Sequence, residues 1–521
     1  MIDERLLTRF FREHKASPGF LKVAAGWSLL ALLFLLAGYG SVRVCPRWGS
    51  CEKGALFVGG KPFIITLLVW ALGIAALRLA PARLPKPPSA ADEEISRRRL
   101  RRAAISFPFC ALTTLAVAHL FLLSPMILHP FWANPVRLSS NLGFPLNQDS
   151  PLLMDLAVSP GKLLESGPGD LRQSRPLYVW VAAGLTRSLA PLARRSGIER
   201  LYGVRHPAFL PEIVLNWGLL TVAFFLFWRF LCGFGGPFAK FAAVLCAIPF
   251  LANDVVKAFF WTPHMQLFNL LVPMLGLVCC RSILAGPPLS HSRALLVGLG
   301  LGLLGLAYES SLFIVPAIAA AFLLRAGGAR ARAGWREGLP RAGMLALGFA
   351  LPQLAWIAVR LVRSGRYSNV AIERDRNFVW LADALSAGAE ETGTRVFSYS
   401  VLFLRTLWSA CGPLVLLGVL LVFVRLWLGL PLSPSGQARR QALHAAWLTM
   451  FSAMTFLFFM GQYVERHSFF LGPILLVLCG LLLTEVLEAS AGAVRVGIAG
   501  TLAAVDAVWL VYQVAKYGPY S

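Results

Sequence analysis

The most constraining feature of the chain is a series of apolar runs, most of them about 15–25 residues long, which is the length that crosses a bilayer as an α-helix. Hydrophobic residues make up 57% of the 521 residues and charged residues only 14%, whereas a soluble protein carries about 25% charged residues. Polar stretches stay below roughly 80 residues, which is shorter than a typical soluble domain of about 100–150 residues. The sequence therefore predicts an all-α, polytopic membrane protein.

The apolar runs predict about 13 transmembrane helices. They lie near residues 20–39, 62–80, 106–129, 211–231, 238–252, 264–281, 294–308, 310–325, 342–361, 411–429, 443–461, 469–488 and 494–513. Two further apolar segments, 176–193 and 396–410, are interrupted by Arg187 and Arg405. Each of the two could cross the membrane or lie in its interface as an amphipathic helix.

The basic residues predict the orientation of the chain. If residues 1–19 form a cytosolic, amphipathic lead-in, the basic block in 81–105 is cytosolic after two spans. The basic loop 325–341 is then cytosolic only if segment 176–193 lies in the interface, which favours that interpretation. The charged N-terminal segment does not resemble a cleaved signal peptide. We therefore expect a cytosolic N-terminus and a protein of the inner (cytoplasmic) membrane of a bacterium.

The net charge of +24, from 49 basic and 25 acidic residues, fits cytosolic loops that contact anionic membrane lipids. Nucleic acid is not an expected partner. Of the nine cysteines, most lie in or beside apolar runs. Cys45 and Cys51 flank a short loop instead, and they could form a disulfide in an oxidising compartment. The sequence contains neither a CxxC motif nor a His-rich tract that would indicate a structural zinc site.

Ionisable residues from distant segments are predicted to share the outer face of the membrane. Such residues are costly at membrane depth and commonly mark functional sites. The set comprises Asp149, Asp155, Asp170, Arg172, Arg175, Asp254, His264, Glu309 and the segments 373–377 and 463–467.

Several segments of the chain resemble the GT-C superfamily of membrane glycosyltransferases, which includes protein O-mannosyltransferases and lipid A aminoarabinose transferases. Asp149 follows a predicted span, as does the catalytic Asp of that family. The stretches "GKLLESG" and "SRPLYVWVAAGL" resemble its juxtamembrane helices, and "FLPEIVLNWGLLTVAFFLFWRF" resembles its next inward span. Residues 295–324 and "ERHSFFLGPILLVL" resemble later elements. Ser150 stands where the family often has Glu, and Arg175 where it has Lys.

The resemblance implies three parts of the chain. Residues 1–105 would hold the lead-in, two extra spans and a basic loop, and residues 106–325 a GT-C-like core with the long outer loop 131–210. Residues 326–521 would form a C-terminal transmembrane region with the outer loop 362–397.

The resemblance also implies transfer of a sugar from a polyprenyl-phosphate donor to a glycan, lipid or protein acceptor at the outer face. Asp149 would act as general base, with Asp155 as the alternative. The donor phosphate and substrate would be bound by residues from several segments, namely Arg172, Arg175, Asp254, His264, Glu309, Arg466 and His467. Each could instead be an ordinary surface residue, with arginines on lipid headgroups and carboxylates in solvent. No cofactor is required, although Asp149 with Asp254 or Glu309 could hold a divalent cation.

Two other functions remain open at this point. A transporter or flippase of lipid-linked substrates would show inverted repeats with broken helices in both halves, and the long polar loop occurs only once. A catalytically inactive GT-C-like scaffold is the second alternative. The glycines of "GLGLG", 298–302, lie inside an apolar run, so they predict close helix packing and not a dinucleotide loop.

Overall fold

The computed structural model describes residues 107–118, 121, 133–137, 143–165, 174–196, 204–326, 331–365, 379–431, 434, 436–461 and 469–515. In this part of the chain, seven helices are long and apolar enough to cross a membrane, and three shorter helices are apolar. The prediction of an all-α, polytopic membrane protein is therefore confirmed. The predicted spans 20–39 and 62–80, with Cys45 and Cys51 between them, lie outside the described residues.

Sixteen helices and one hairpin are described, in the following order along the chain. They are α1 (Phe107–Ala118), β1 (Ala133–Arg137), β2 (Gly143–Asn147), α2 (Ser150–Val158), α3 (Lys162–Glu165), α4 (Pro176–Ser196), α5 (Phe209–Cys232), α6 (Ala239–Leu251), α7 (Asp254–Phe259), α8 (Phe268–Ala285), α9 (His291–Ala307), α10 (Ile314–Ala326), α11 (Ala331–Ser364), α12 (Val379–Ala387), α13 (Ala389–Trp427), α14 (Gln437–Met460), α15 (Leu471–Ala489) and α16 (Gly492–Ala515). Short 3₁₀ turns, Met265–Leu267 and Glu309–Phe313, precede α8 and α10.

The connections between successive long helices alternate between two ends of the bundle. One end, called the hairpin end, carries the β1–β2 hairpin, α2 to α4 and the connections 252–264 and 308–313. Hydrogen bonds join the elements of this end. For example, Asn216 Nδ2 of α5 donates to the Thr262 carbonyl of the connection 252–264 at 2.9 Å. The opposite end, called the arginine end, carries the connections 233–238, 286–290 and 428–436.

Arginine side chains hold the helix ends together at the arginine end. Arg425 and Glu485 form a buried ion pair between α13 and α15. Arg439 of α14 binds Glu488 at 2.6 Å and donates to the Gly235 carbonyl at 3.1 Å. Further carbonyls near helix ends accept from Arg281, Arg325 and Arg495. This concentration of arginine agrees with a cytosolic location, which stays a prediction.

The long loop predicted over 131–210 contains more regular structure than expected. Its strands β1 and β2 pair antiparallel from Ala133↔Asn147 to Arg137↔Gly143, a hairpin that the sequence analysis did not predict. Segment 176–193 lies within α4, which is not among the seven candidate spans. Trp180 of α4 packs edge-on against Trp356 of α11 at 5.5 Å, so α4 is fixed to the bundle and does not stand apart as a free loop.

The second ambiguous segment, 396–410, is continuous with the predicted span 411–429. Both belong to α13, which has 39 residues. At about 1.5 Å per residue this helix is roughly 58 Å long, whereas the hydrocarbon core of a bilayer is about 30 Å thick. α13 is therefore nearly twice as long as a crossing of the hydrocarbon core requires. In the predicted loop 362–397, the described residues are largely helical, since α11, α12 and α13 reach into it.

The prediction of close packing by the "GLGLG" glycines is confirmed at α9 and α11. A Cβ atom on Gly298 would lie 2.2 Å from the Leu345 carbonyl oxygen, and one on Gly302 would lie 2.5 Å from that of Phe349. Glycine therefore lets the two helix backbones approach each other more closely than any other residue would allow. Gly300 faces open space, because a Cβ atom added there would meet nothing within 4 Å.

We expect Gly298→Ala to lower the free energy of unfolding by about 1–3 kcal/mol, because the added methyl group must push two backbones apart. Thermal unfolding of the detergent-solubilised protein measures the change. Gly300→Ala is the matched control on the same helix and should unfold like the wild type. Equal stability of both variants would contradict the close approach of α9 and α11.

Candidate functional site

The connection between α6 and α8 presents His264 at the hairpin end. Asn253 begins α7, with its side-chain oxygen accepting from the Val256 amide at 3.0 Å. The helix stops at Phe259, and the chain then runs through Thr262 and Pro263, where the proline disfavours a helical residue before it. His264 is extended, with φ −166° and ψ 151°. Its ring is 5% exposed and packs beside Phe259 at 5.2 Å.

The turn after β2 places Asp149 against this histidine. The Asp149 amide donates to Asn147 Oδ1 at 2.9 Å, and the residue stands at the N-cap position of α2 without capping it by its side chain. The carboxylate points elsewhere: Asp149 Oδ2 lies 3.9 Å from His264 Nε2. Asp149 is 53% exposed, so the structure provides a solvent-accessible carboxylate beside a buried imidazole.

Arg175 reaches the same connection from the start of α4. Its Nη1 lies 2.6 Å from the sulfur of Met265, the residue that follows His264. The guanidinium carbon stands 5.8 Å from the ring centroid of Tyr308. Arg175 Nε is buried and, among the described residues, makes no hydrogen bond. The Nε–H group of the guanidinium is therefore left without a hydrogen-bond acceptor among the described residues, with a Glu309 carboxylate oxygen 3.8 Å away.

Glu309 follows the break between α9 and α10 and faces Arg175. Its Oε1 lies 3.8 Å from Arg175 Nε and accepts a hydrogen bond from Ser174 Oγ. Beside it, Tyr308 Oη donates to Asn269 Oδ1 at 2.6 Å. Because Tyr308 is buried and hydrogen-bonded, it offers Arg175 a fixed ring face.

The predicted site residues thus divide into those that meet in one cluster, those that lie apart from it and those outside the described residues. The structure brings Asp149, His264, Arg175 and Glu309 into one cluster, joined through Met265. Asp155 instead faces His206, with Oδ1 3.3 Å from Nε2. Asp254 is the first residue of α7, earlier in the connection that carries His264. The remaining predicted positions lie outside the described residues, namely Asp170, Arg172, Arg466, His467 and the segments 373–377 and 463–467.

Sequence reasoning missed the residues that hold this cluster. Ser174, Met265 and Tyr308 each adjoin a predicted residue, but only the fold shows that they meet. Glu212, which accepts from Tyr178 of α4, and Asn216, which donates to the Thr262 carbonyl, were detectable. Both are polar residues placed inside a predicted span, one helical turn apart.

The described residues do not fit the divalent cation that the sequence left open. Within this part of the chain, no three His, Cys, Asp or Glu side chains come together as a ligand group. Glu309 also faces the Arg175 guanidinium, whose positive charge opposes a bound cation.

Neither a protein-family model nor a curated protein matches the chain. A comparison of folds matches it to the archaeal oligosaccharyltransferase AglB from Archaeoglobus fulgidus, solved in complex with an inhibitory peptide and a dolichol-phosphate. The two share 13% sequence identity at a TM-score of 0.41, over 79% of this chain and 56% of the archaeal one. The chain thus spans little more than half the length of that protein. Any functional assignment depends on the site residues themselves.

Proposed function

We propose that this protein is an integral membrane glycosyltransferase that moves a sugar from a polyprenyl-phosphate donor to an acceptor, with Asp149 as general base. One observation supports it above the others. His264 lies against Asp149, and the next residue, Met265, contacts Arg175. A carboxylate and a guanidinium are therefore held together at one end of a membrane bundle, and glycosyl transfer from a lipid phosphate needs both.

Asp149 has the properties of a base for the acceptor. The acceptor's nucleophilic oxygen or nitrogen attacks the anomeric carbon of the sugar, and its proton passes to the Asp149 carboxylate. The bond between that carbon and the phosphate oxygen breaks, and the electron pair leaves with the phosphate. His264 orients the carboxylate from its buried position, at a distance that can shorten when substrate binds.

Arg175 is suited to the departing phosphate. A guanidinium forms charge-assisted hydrogen bonds with phosphate oxygens, and it keeps its charge throughout the reaction. Glu309, which Ser174 holds by a hydrogen bond, and the Tyr308 ring lie beside it and limit its rotation. Glu309 accordingly acts here through Arg175 rather than on the sugar. Substrate contacts by Arg172, Asp254, Arg466 and His467, and a role for Asp155 as the base, stay predictions.

The proposal places the hairpin end on the outer face of a bacterial inner membrane, where the donor's lipid tail lies in the outer leaflet. We expect a cysteine at the exposed Gln148 to react with a membrane-impermeant maleimide added to intact cells. A cysteine at His291, which is exposed at the arginine end, should react only after the cells are opened. The reverse pattern would place the site in the cytosol.

Transfer itself is tested by reconstituting the purified protein in liposomes with radiolabelled polyprenyl-phosphate sugars and a panel of glycan, lipid and peptide acceptors. Label that moves from the lipid to an acceptor supports the proposal. Label that crosses the bilayer still attached to its lipid would indicate a flippase. Donor binding without either event would indicate an inactive scaffold, and both of these outcomes would overturn glycosyl transfer.

A further inference from the structure

Asn216 of α5 fixes the segment that carries His264. Its side-chain amide donates to three main-chain carbonyls, those of Phe259 at 3.1 Å, Phe260 at 3.1 Å and Thr262 at 2.9 Å. The first two carbonyls belong to the end of α7, where a helix leaves its last carbonyls without internal partners. Asn216 is 0% exposed, so no water competes for these bonds. A side chain on a long, rigid helix thus sets the course of the chain just before His264.

These three bonds also fix the orientation of the Asn216 amide. Its nitrogen must face the carbonyls, which turns its oxygen the other way. That oxygen is buried and accepts no hydrogen bond from the described residues. A buried acceptor without a donor is unfavourable, so a donor is expected on that side.

Glu212 lies one helical turn before Asn216, on the same face of α5. It is 0% exposed, and its Oε2 accepts from Tyr178 Oη at 3.0 Å. Its other oxygen, Oε1, is buried and has no hydrogen-bond partner among the described residues, which also offer it no ion pair. An ionised carboxylate would be strongly unfavourable in such a place.

We propose that Glu212 is held as the neutral acid, that its Oε1 hydroxyl donates to the Asn216 amide oxygen, and that the pair positions the site. One proton then satisfies both buried oxygens. Glu212 holds α4 through Tyr178, near Arg175, and Asn216 holds the segment ending in His264 and Met265. The two halves of the site are thereby fixed to a single turn of α5. Both are positioning residues, and their catalytic relevance rests on the proposed function.

The protonation state is tested by infrared spectroscopy of the protein in lipid at neutral pH. The wild type should show the carbonyl-stretch band of a neutral carboxyl group, and that band should be lost in the isosteric variant Glu212→Gln. An unchanged spectrum in this region would overturn the assignment of a neutral Glu212. Because glutamine matches glutamate in size, the variant is expected to keep the wild-type fold.

Positioning is tested by the accessibility of His264 to diethyl pyrocarbonate, which modifies imidazole rings and is quantified by peptide mass spectrometry. We expect faster modification of His264 in Asn216→Asp and Glu212→Ala, and a wild-type rate in Glu212→Gln, whose amide donates to Asn216 and accepts from Tyr178. The exposed His291 serves as internal control. A wild-type rate in Asn216→Asp would overturn the positioning role.

The kinetic consequence is a fall in kcat of about 100-fold in Asn216→Asp with little change in KM, since small misplacements of catalytic groups cost about this much. Glu212→Gln should recover the loss seen in Glu212→Ala. Equal losses in both glutamate variants would overturn the proposal, because a neutral donor would then be insufficient. The infrared and labelling results do not depend on transfer, so they can hold even where glycosyl transfer itself is not found.

Discussion

Asp149→Asn is expected to lower the rate of sugar transfer by about 10²- to 10⁴-fold, the usual contribution of a general base. Asparagine keeps the size and hydrogen-bonding reach of the side chain, but it cannot take the acceptor's proton. Binding of the donor should be unchanged, because Arg175 and its neighbours remain in place. Single-turnover transfer at saturating donor separates the chemical step from binding and release.

The control for this substitution is Glu165→Gln, which neutralises an exposed carboxylate of α3 in the same region and should transfer at the wild-type rate. Asp155→Asn distinguishes the two candidate bases. A large loss in Asp155→Asn, together with normal transfer by Asp149→Asn, would assign the base to the Asp155–His206 pair.

Arg175→Ala is expected to weaken binding of the polyprenyl-phosphate donor by about 10- to 150-fold, from the loss of hydrogen bonds to a charged group worth about 1.5–3 kcal/mol. The transfer rate should fall as well, because negative charge grows on the phosphate as the bond to the sugar breaks. Titration of the reconstituted protein with a fluorescent polyprenyl phosphate measures the affinity.

Two further variants distinguish a specific effect of the Arg175 guanidinium on donor affinity from a general effect of positive charge. Arg175→Lys keeps the charge but loses the paired donors and the planar group above Tyr308, so it should bind the donor with intermediate affinity. Arg187→Ala removes an exposed arginine from the same helix and should leave affinity unchanged. An equal loss in Arg187→Ala would mean that α4 attracts the lipid only by its overall charge.

Several of the predicted spans coincide with long apolar helices, because a bilayer permits few alternatives. The backbone must satisfy its own hydrogen bonds there, so a long apolar run becomes a helix. The predicted span 211–231 is accordingly α5, and 443–461 lies within α14 apart from its last residue. The hairpin was missed because β1 and β2 are short and contain proline. The polar start of α13 was missed because its residues, "AEETGTR", do not form an apolar run.

The site was predictable in part. Topology alone indicated that Asp149, Arg175, His264 and Glu309 share one end of the bundle, and the structure brings these four together. Their roles stay predictions. The contacts that join them were beyond the sequence, because Met265 meets Arg175 and Asn216 meets Thr262 across long separations in the chain. Such contacts depend on how helices pack, which apolar periodicity does not specify.

The most direct test of the combined site is an electron cryomicroscopy structure of the protein in lipid nanodiscs with a bound polyprenyl phosphate. The account predicts that the phosphate is hydrogen-bonded to the Arg175 guanidinium at the hairpin end, with the Asp149 carboxylate on the side where the acceptor attacks the sugar. A phosphate bound at the arginine end, or one at the hairpin end with Arg175 still turned to Met265 and Glu309, would contradict it.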